Sequence, residues 1–396
     1  MTLVRAGRVI TPARVLENVY VQVEDGVIRG VGRRGELAST AAEAEIDAGA
    51  LTVVPGFVDV HTHGIAGVQA IDGTRVAMHR MAETYARHGV TAFLAGVFGT
   101  REQIEAGLDA AVAWQLEQSQ HGSEAHARAL GAAMLGIYLE GPFLSPDWPG
   151  AFAPGTILDP DATVLRDHVT RARGTLRLLT LAPERPGAAE LVALAADHGI
   201  VCAIGHSGAT FEEAAAAAEH GVRHITHTFN AMPQLHHRRP GVLGAALTDE
   251  RFTVEIIADG IHVHPALVRL LAKAKGPNAV VLVTDSIAAA GLPEGDYQFR
   301  DVAVRLEGGA ARLSDGTLAG STLTMERGVA NLVAFGAASL PEAISMASTN
   351  PARLLGLASQ KGRIEAGYDA DLVALTPDLE VAWTMVAGDV VHRGAA

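Results

Sequence analysis

Five apolar stretches of this chain each run into a residue that can bind a metal or move a proton. Val53-Val54-Pro55-Gly56-Phe57-Val58 leads to His61-Thr62-His63. Leu135–Leu139 leads to Glu140, Ile200–Ile204 to His206, His224–Thr226 to His227, and Ala279–Thr284 to Asp285. His61 and His63 stand two apart, so on a strand both imidazoles share one face with Asp59 and can reach one ion. Glu140 at the end of a buried run needs a metal or an arginine as partner, because an unpaired buried carboxylate is very costly. Glu140, His206 and His227 together offer nitrogen and oxygen donors without sulfur, a set suited to Zn²⁺ or another first-row divalent ion. Asp285 has two open roles, metal ligand or general base beside an activated water. Taken singly, each histidine reads as a satisfied core residue, and the His-x-His spacing recurs in His262/His264 among 17 histidines. His224, three residues before His227, is read as structural and on the opposite face of its strand.

These residues must be gathered by their elements. Short buried runs closed by turns read as strands of a parallel sheet. In a (β/α)8 barrel all strand C-termini open onto one face, where chemistry is done. The segment 54–357 alternates strand-like and helix-like stretches, as βαβ units do. Helices are expected over 75–88 before Gly89, over 187–198 before Gly199, and after a Thr210/Glu213 capping box; another begins at Pro265. At the N-terminus, Asp25-Gly26 between two alternating runs is a hairpin signal. Residues 371–375 and 383–391 are similarly strand-like. Neither end makes a stable sheet alone, so residues 1–53 and 358–396 are expected to form one small β domain beside the barrel.

Composition narrows the classes. The net charge of −13 argues against a nucleic-acid surface or a polybasic membrane patch. No apolar run approaches the roughly 18 residues of a membrane span, and Met1–Arg5 does not open a secretory signal. Cys202 is the only cysteine, which removes internal disulfides and thiolate clusters. A cytoplasmic enzyme is the expectation. Only Lys273, Lys275 and Lys361 are lysines, and none ends an apolar run, so neither a Schiff base nor a lysine carbamate is placed at a strand end. The Gly205-His206-Ser207-Gly208 segment is no nucleophile elbow, and no phosphate-cradling glycine loop occurs.

In these residues the chain resembles the N-acetylglucosamine-6-phosphate deacetylase family, a branch of the amidohydrolase superfamily. The resemblance runs through Pro55-Gly56-Phe57-Val58-Asp59-Val60-His61-Thr62-His63-Gly64, Leu139-Glu140-Gly141-Pro142-Phe143 and Leu181-Ala182-Pro183-Glu184. It continues in Gly205–Thr210, Thr226-His227-Thr228-Phe229-Asn230-Ala231-Met232-Pro233, Ile257–Val263, Val283-Thr284-Asp285 and Leu318–Met325. It implies a metal-dependent (β/α)8 TIM barrel of the α/β class with a small β-sandwich domain built from both chain ends. The implied reaction is hydrolysis of the acetamide of N-acetyl-D-glucosamine 6-phosphate. Glu140, His206 and His227 match the ligands of the principal metal, and His61 and His63 match members holding a second ion. The ions are one or two per subunit, zinc first, with iron, cobalt or manganese as alternatives. Asp285 matches the catalytic acid/base. Asn230, Ala231 and His262 match residues that hold the sugar phosphate, with Leu318, Ala319 and Gly320 in a loop over it. Arg238 matches an arginine given by the neighbouring subunit of a homodimer to the phosphate.

Two departures accompany the match. Phe152, which with Ala151 lies in the substrate-binding loop Gly150-Ala151-Phe152, stands where the family usually offers a histidine or another polar residue, which weakens one expected polar contact to the substrate. Arg238-Arg239-Pro240-Gly241 replaces the family's arginine-glutamate-proline-glycine and adds positive charge beside the phosphate. Alternative readings are a related amidohydrolase on another N-acyl amino sugar, such as the galactosamine epimer, and a catalytically silent barrel serving as a scaffold.

Overall fold

Eight strands form one parallel sheet in strict chain order: Phe57–Asp59, Val90–Val97, Ala133–Glu140, Leu176–Leu181, Val201–Ile204, His224–Ile225, Thr253–Ile256 and Val280–Leu282. The computed structural model describes residues 1–11, 14–33, 36–37, 44–120, 131–299 and 302–394. A helix follows every strand, from Arg75–Arg87 after the first to Met325–Ala334 after the eighth. All eight residues of Val90–Val97 are buried, as a strand covered on both faces requires. Alternation divides them: Ala92 and Leu94 join Tyr138, Leu178, Ala203, Ile257, Val281 and Val283 in one cluster, while Phe93, Ala95 and Val97 pack in another with helix residues.

The first and last strands stand at the two edges of this sheet, and contacts beyond their ends close the barrel. The Asp285 N–H donates to the His61 carbonyl at 2.8 Å, and His63 N–H donates to the Ser286 carbonyl at 2.8 Å. The Thr284 hydroxyl donates to buried Asp59 at 2.6 Å. Closure therefore lies at the same level as the candidate chemical residues.

Local signals act where the sequence placed them. Thr210 and Glu213 form a reciprocal capping box before Phe211–Glu219. His264 accepts the Ala266 N–H and caps Pro265–Lys275, which carries Lys273 and Lys275 in its last turn, where the helix dipole favours positive charge. The two His-x-His pairs thus have different fates.

The chain ends meet in one continuous seven-stranded sheet, ordered Asp389–Arg393, Val381–Val386, Leu372–Leu375, Ala44–Pro55, Thr2–Ile10, Val15–Glu24, Val27–Gly32. Residues from both ends, among them Val4, Val21, Ile28, Leu372 and Trp383, share the core of this sheet. Its hairpin turns on Asp25 (φ 52°) and Gly26 (φ 75°), the paired positive values of a two-residue turn matched to strand twist. Lys361 is half-buried between Asp369 at 2.8 Å and Asp371 at 2.7 Å. Among the described residues, no helix is long and apolar enough to cross a membrane.

Cys202 lies in the strand Val201–Ile204 with 4% exposure, and burial pushes its thiol up to about 12. The thiolate is the reactive form. Native protein is therefore expected to resist a thiol reagent that titrates one group after unfolding; labelling of the native protein at the rate of a free thiol would contradict this burial.

Candidate metal centre and substrate cavity

The five strand-end positions converge. Glu140 Oε1 lies 3.2 Å from His206 Nε2 and 3.1 Å from His227 Nε2, and those two nitrogens are 3.0 Å apart. His61 Nε2 and His63 Nε2 are 3.3 Å apart, and Asp285 Oδ1 is 3.3 and 3.4 Å from them. The two clusters touch through Glu140, whose Oε2 lies 3.0 Å from His63 Nε2. Each trio has donor atoms close enough to hold a metal ion. His206, His227 and Asp285 have positive φ values of 48°, 27° and 48°. Such backbone costs roughly 1–3 kcal/mol per residue and gathers at functional sites.

The donor chemistry fits a cation. His206 Nδ1 is 3.0 Å from the Trp148 carbonyl, which can only accept, so its proton sits there and Nε2 presents a lone pair. His61 Nδ1 faces Glu255 Oε2 at 2.7 Å with the same consequence. The donor spacings match an edge of roughly 2.9–3.4 Å around an ion about 2.0–2.1 Å from each ligand. Lone pairs and carboxylate oxygens at these separations need positive charge between them. Without an ion, protons supply it. Burial opposes charge on His63, but the hydrogen bonds it donates to the Asp285 and Glu140 carboxylates outweigh it and raise its pKa to about 9. His61 is raised too: burial opposes, and the charges of Glu255 and Asp285 prevail. Burial would raise Glu140 and Asp285, yet the surrounding imidazoles hold both well below the usual carboxylate range.

A cavity of about 250 Å³ opens over the centre. His63, Glu140, His206, His227 and Asp285 line it, with Ala151, Phe152, Asn230, Ala231, His262, Leu318, Ala319 and Gly320. Phe152 packs edge-on against His206, with ring centroids 4.9 Å apart, so it faces the cavity. His262 Nδ1 is held by Asp259 Oδ2 at 2.6 Å, which leaves Nε2 as its other nitrogen. Gly320 (φ 81°) lies so close to the eighth strand's end that a Cβ would stand 2.6 Å from Ile287 and 3.1 Å from the Asp285 carbonyl. Arg238 is exposed, absent from the cavity lining, and donates to His237 Nε2 at 2.8 Å. Glu184, from the Leu181–Glu184 segment, accepts from Ser207 Oγ and Gly208 N–H at 2.7 Å each and pins the turn after His206.

Three residues went unread or were misread. Glu255, fully buried, joins His61 to His224 and to the His227 backbone. Its signal was a charge inside the apolar run Phe252–Ile257. Phe98, the first residue after Val90–Val97, lines the cavity and packs on His63 at 4.7 Å. His224 does not face away from the site: its Nε2 is 3.0 Å from Glu255 Oε1. Alternation fails there because the strand is only His224–Ile225, and the backbone turns left-handed at His227.

A sequence model of the amidohydrolase family matches residues 52–391. N-acetylglucosamine-6-phosphate deacetylase of Bacillus subtilis (strain 168) is 36% identical over 98% of this chain and 96% of its own length. N-acetylgalactosamine-6-phosphate deacetylase of Escherichia coli O157:H7 is 34% identical, covering 98% of each. The structure of an aspartate-to-alanine variant of N-acetyl-D-glucosamine-6-phosphate deacetylase from Mycobacterium smegmatis, in complex with N-acetyl-D-glucosamine 6-phosphate, superposes with a TM-score of 0.88. It is 34% identical and covers 98% of this chain and 99% of that one. A barrel carrying its donors at the strand ends and similarity along nearly the whole length lead to one assignment: the chain belongs to the amidohydrolase family, in the branch whose members are named N-acetylglucosamine-6-phosphate deacetylase.

Proposed function

We propose that this chain hydrolyses the acetamide of N-acetyl-D-glucosamine 6-phosphate to D-glucosamine 6-phosphate and acetate. The observation that carries the reading is one cavity lined both by donor residues of the two clusters, Glu140, His206, His227, His63 and Asp285, and by Asn230, Ala231, His262 and the 318–320 loop. Glu140, His206 and His227 would hold the principal divalent ion, and His61 and His63 a second. Zinc suits these donors, and iron, cobalt or manganese can use the same ones. A divalent ion in such a site supplies Lewis acidity, polarising a carbonyl and acidifying water.

The chain's own groups do the rest. Asp285 accepts a proton from the attacking water as its oxygen bonds to the amide carbon, then delivers that proton to the nitrogen as the C–N bond breaks. Acetate and the free amine are the products. Phe98 and Phe152 limit water beside the reacting carbon, since both rings line the cavity next to ligand histidines. Asp259 fixes His262 so that its Nε2 meets the polar end of the sugar phosphate. Arg238 reaches the phosphate in the neighbouring subunit of a homodimer, consistent with its exposure and its place outside its own cavity. We place the reaction in the cytoplasm, a compartment that a lone cysteine suits.

Arg238→Ala is expected to raise KM for the phosphorylated substrate about 10–100-fold, the loss of one charge-assisted hydrogen bond, with kcat little changed. Unphosphorylated N-acetylglucosamine should not respond to the substitution. An unchanged KM would remove Arg238 from the phosphate site. A second reading, the galactosamine epimer, is supported by the 34% identity to the E. coli enzyme of that name. Comparing kcat/KM for the two epimers decides between them.

A further inference from the structure

Glu255 is fully buried on the strand Thr253–Ile256 and does not line the cavity. Its Oε2 accepts from His61 Nδ1 at 2.7 Å and from the His227 backbone N–H at 2.8 Å. Its Oε1 accepts from His224 Nε2 at 3.0 Å. One carboxylate thus touches a residue of each donor cluster from behind, away from substrate and solvent. An ionised carboxylate only accepts, so the His61 proton stays on Nδ1 and Nε2 keeps its lone pair towards His63 and Asp285. Negative charge behind a ligating imidazole also raises its basicity, and such outer partners typically account for 10–100-fold in metal affinity.

The neighbouring cluster is built otherwise. There His206 is oriented by the Trp148 backbone carbonyl, which no substitution removes. The Nδ1 atoms of His63 and His227 are buried without a hydrogen-bond partner. Each cluster therefore has one imidazole whose proton the protein places. Only for His61 does a charged side chain do it.

We propose that Glu255 is the positioning residue that makes the His61–His63 pair beside Asp285 a second metal site, by fixing the His61 tautomer and adding charge behind it. This rests on the metal-binding reading above. The Glu140–His206–His227 cluster does not depend on that charge, because Glu255 reaches it only through a backbone N–H.

Glu255→Gln tests this, since it keeps the shape and one acceptor while removing the charge. Zinc-stripped protein would be dialysed against buffers of fixed free zinc, and bound zinc per chain measured. Wild type is expected to reach two ions where E255Q holds one, and E255Q should need 10–100-fold more free zinc for its second. Equal uptake by both proteins overturns the inference. Simultaneous loss of both ions in E255Q also overturns it, leaving Glu255 a structural tie. A wild type that never exceeds one ion sinks the two-ion reading itself. Ring ¹⁵N shifts of His61 in zinc-loaded wild type give a check that needs no variant: protonation on Nδ1 is expected, and protonation on Nε2 contradicts the proposal.

Discussion

Asp285→Asn is expected to lower kcat by about 10²–10⁴-fold, the range for removing a general acid–base, while the protein keeps at least the ion held by Glu140, His206 and His227. The geometry makes this a clean substitution. Asparagine matches aspartate in size and tolerates the left-handed backbone at this position (φ 48°). The Asp285 backbone is anchored on both sides, its N–H donating to the His61 carbonyl and its carbonyl accepting from Ser321 N–H, each at 2.8 Å. What changes is the capacity to take up a proton beside the two clusters. Metal content and turnover measured on one preparation separate the roles. Loss of all bound metal would make Asp285 an essential ligand, and turnover within tenfold of wild type would remove it from proton transfer.

The metal-free protein is expected to lose stability as pH rises from about 6.5 to 9, opposite to what an empty cluster of carboxylates and neutral imidazoles would do. The sign follows from His63, whose folded pKa is raised to about 9 against an unfolded value of about 6.5. The folded state then binds the proton more tightly, so the contribution is complete below about 6.5 and gone above about 9. Its size is on the order of 3 kcal/mol at about 1.4 kcal/mol per pKa unit, and His61 acts in the same direction. Buried Asp59, raised to about 7 by loss of solvation, removes stability in the same sense from about pH 4 to 7. A bound ion must displace the histidine protons, so stabilisation by metal should grow across the 6.5–9 window. Thermal unfolding at pH 6, 7.5 and 9, in chelator and in excess zinc, measures both trends. A metal-free midpoint that climbs from pH 6.5 to 9 would contradict the electrostatics described here.

The site was legible where chemistry sits at an element's end. Glu140, His206 and Asp285 each follow an apolar run and His227 a short strand-like one, and parallel strands of a barrel send all such ends to one face. Glu255 was not legible, although the argument applied to Glu140, that an unpaired buried carboxylate is costly, holds for it equally. It lies in mid-strand, so nothing marked it as near the centre until its neighbours His61 and His224 were placed. His224 was misplaced because a period of two was carried past a strand of two residues. The hairpin at Asp25-Gly26 was readable from its turn residues. The parallel pairing of Thr2–Ile10 with Ala44–Pro55 was not, being a long-range contact with no local signature. The three-stranded insert Gly295–Phe299, Val302–Glu307 and Ala310–Arg312 also escaped, though Gly308-Gly309 between its last two strands is a turn signal.

The most direct measurement is acetate release from N-acetylglucosamine 6-phosphate by protein stripped of metal and then titrated with zinc. Activity should be absent at the start, rise with bound ion, and reach its limit as the cluster sites fill. Full activity in the stripped protein, or none after stoichiometric uptake, would contradict a metal-dependent deacetylation at this centre.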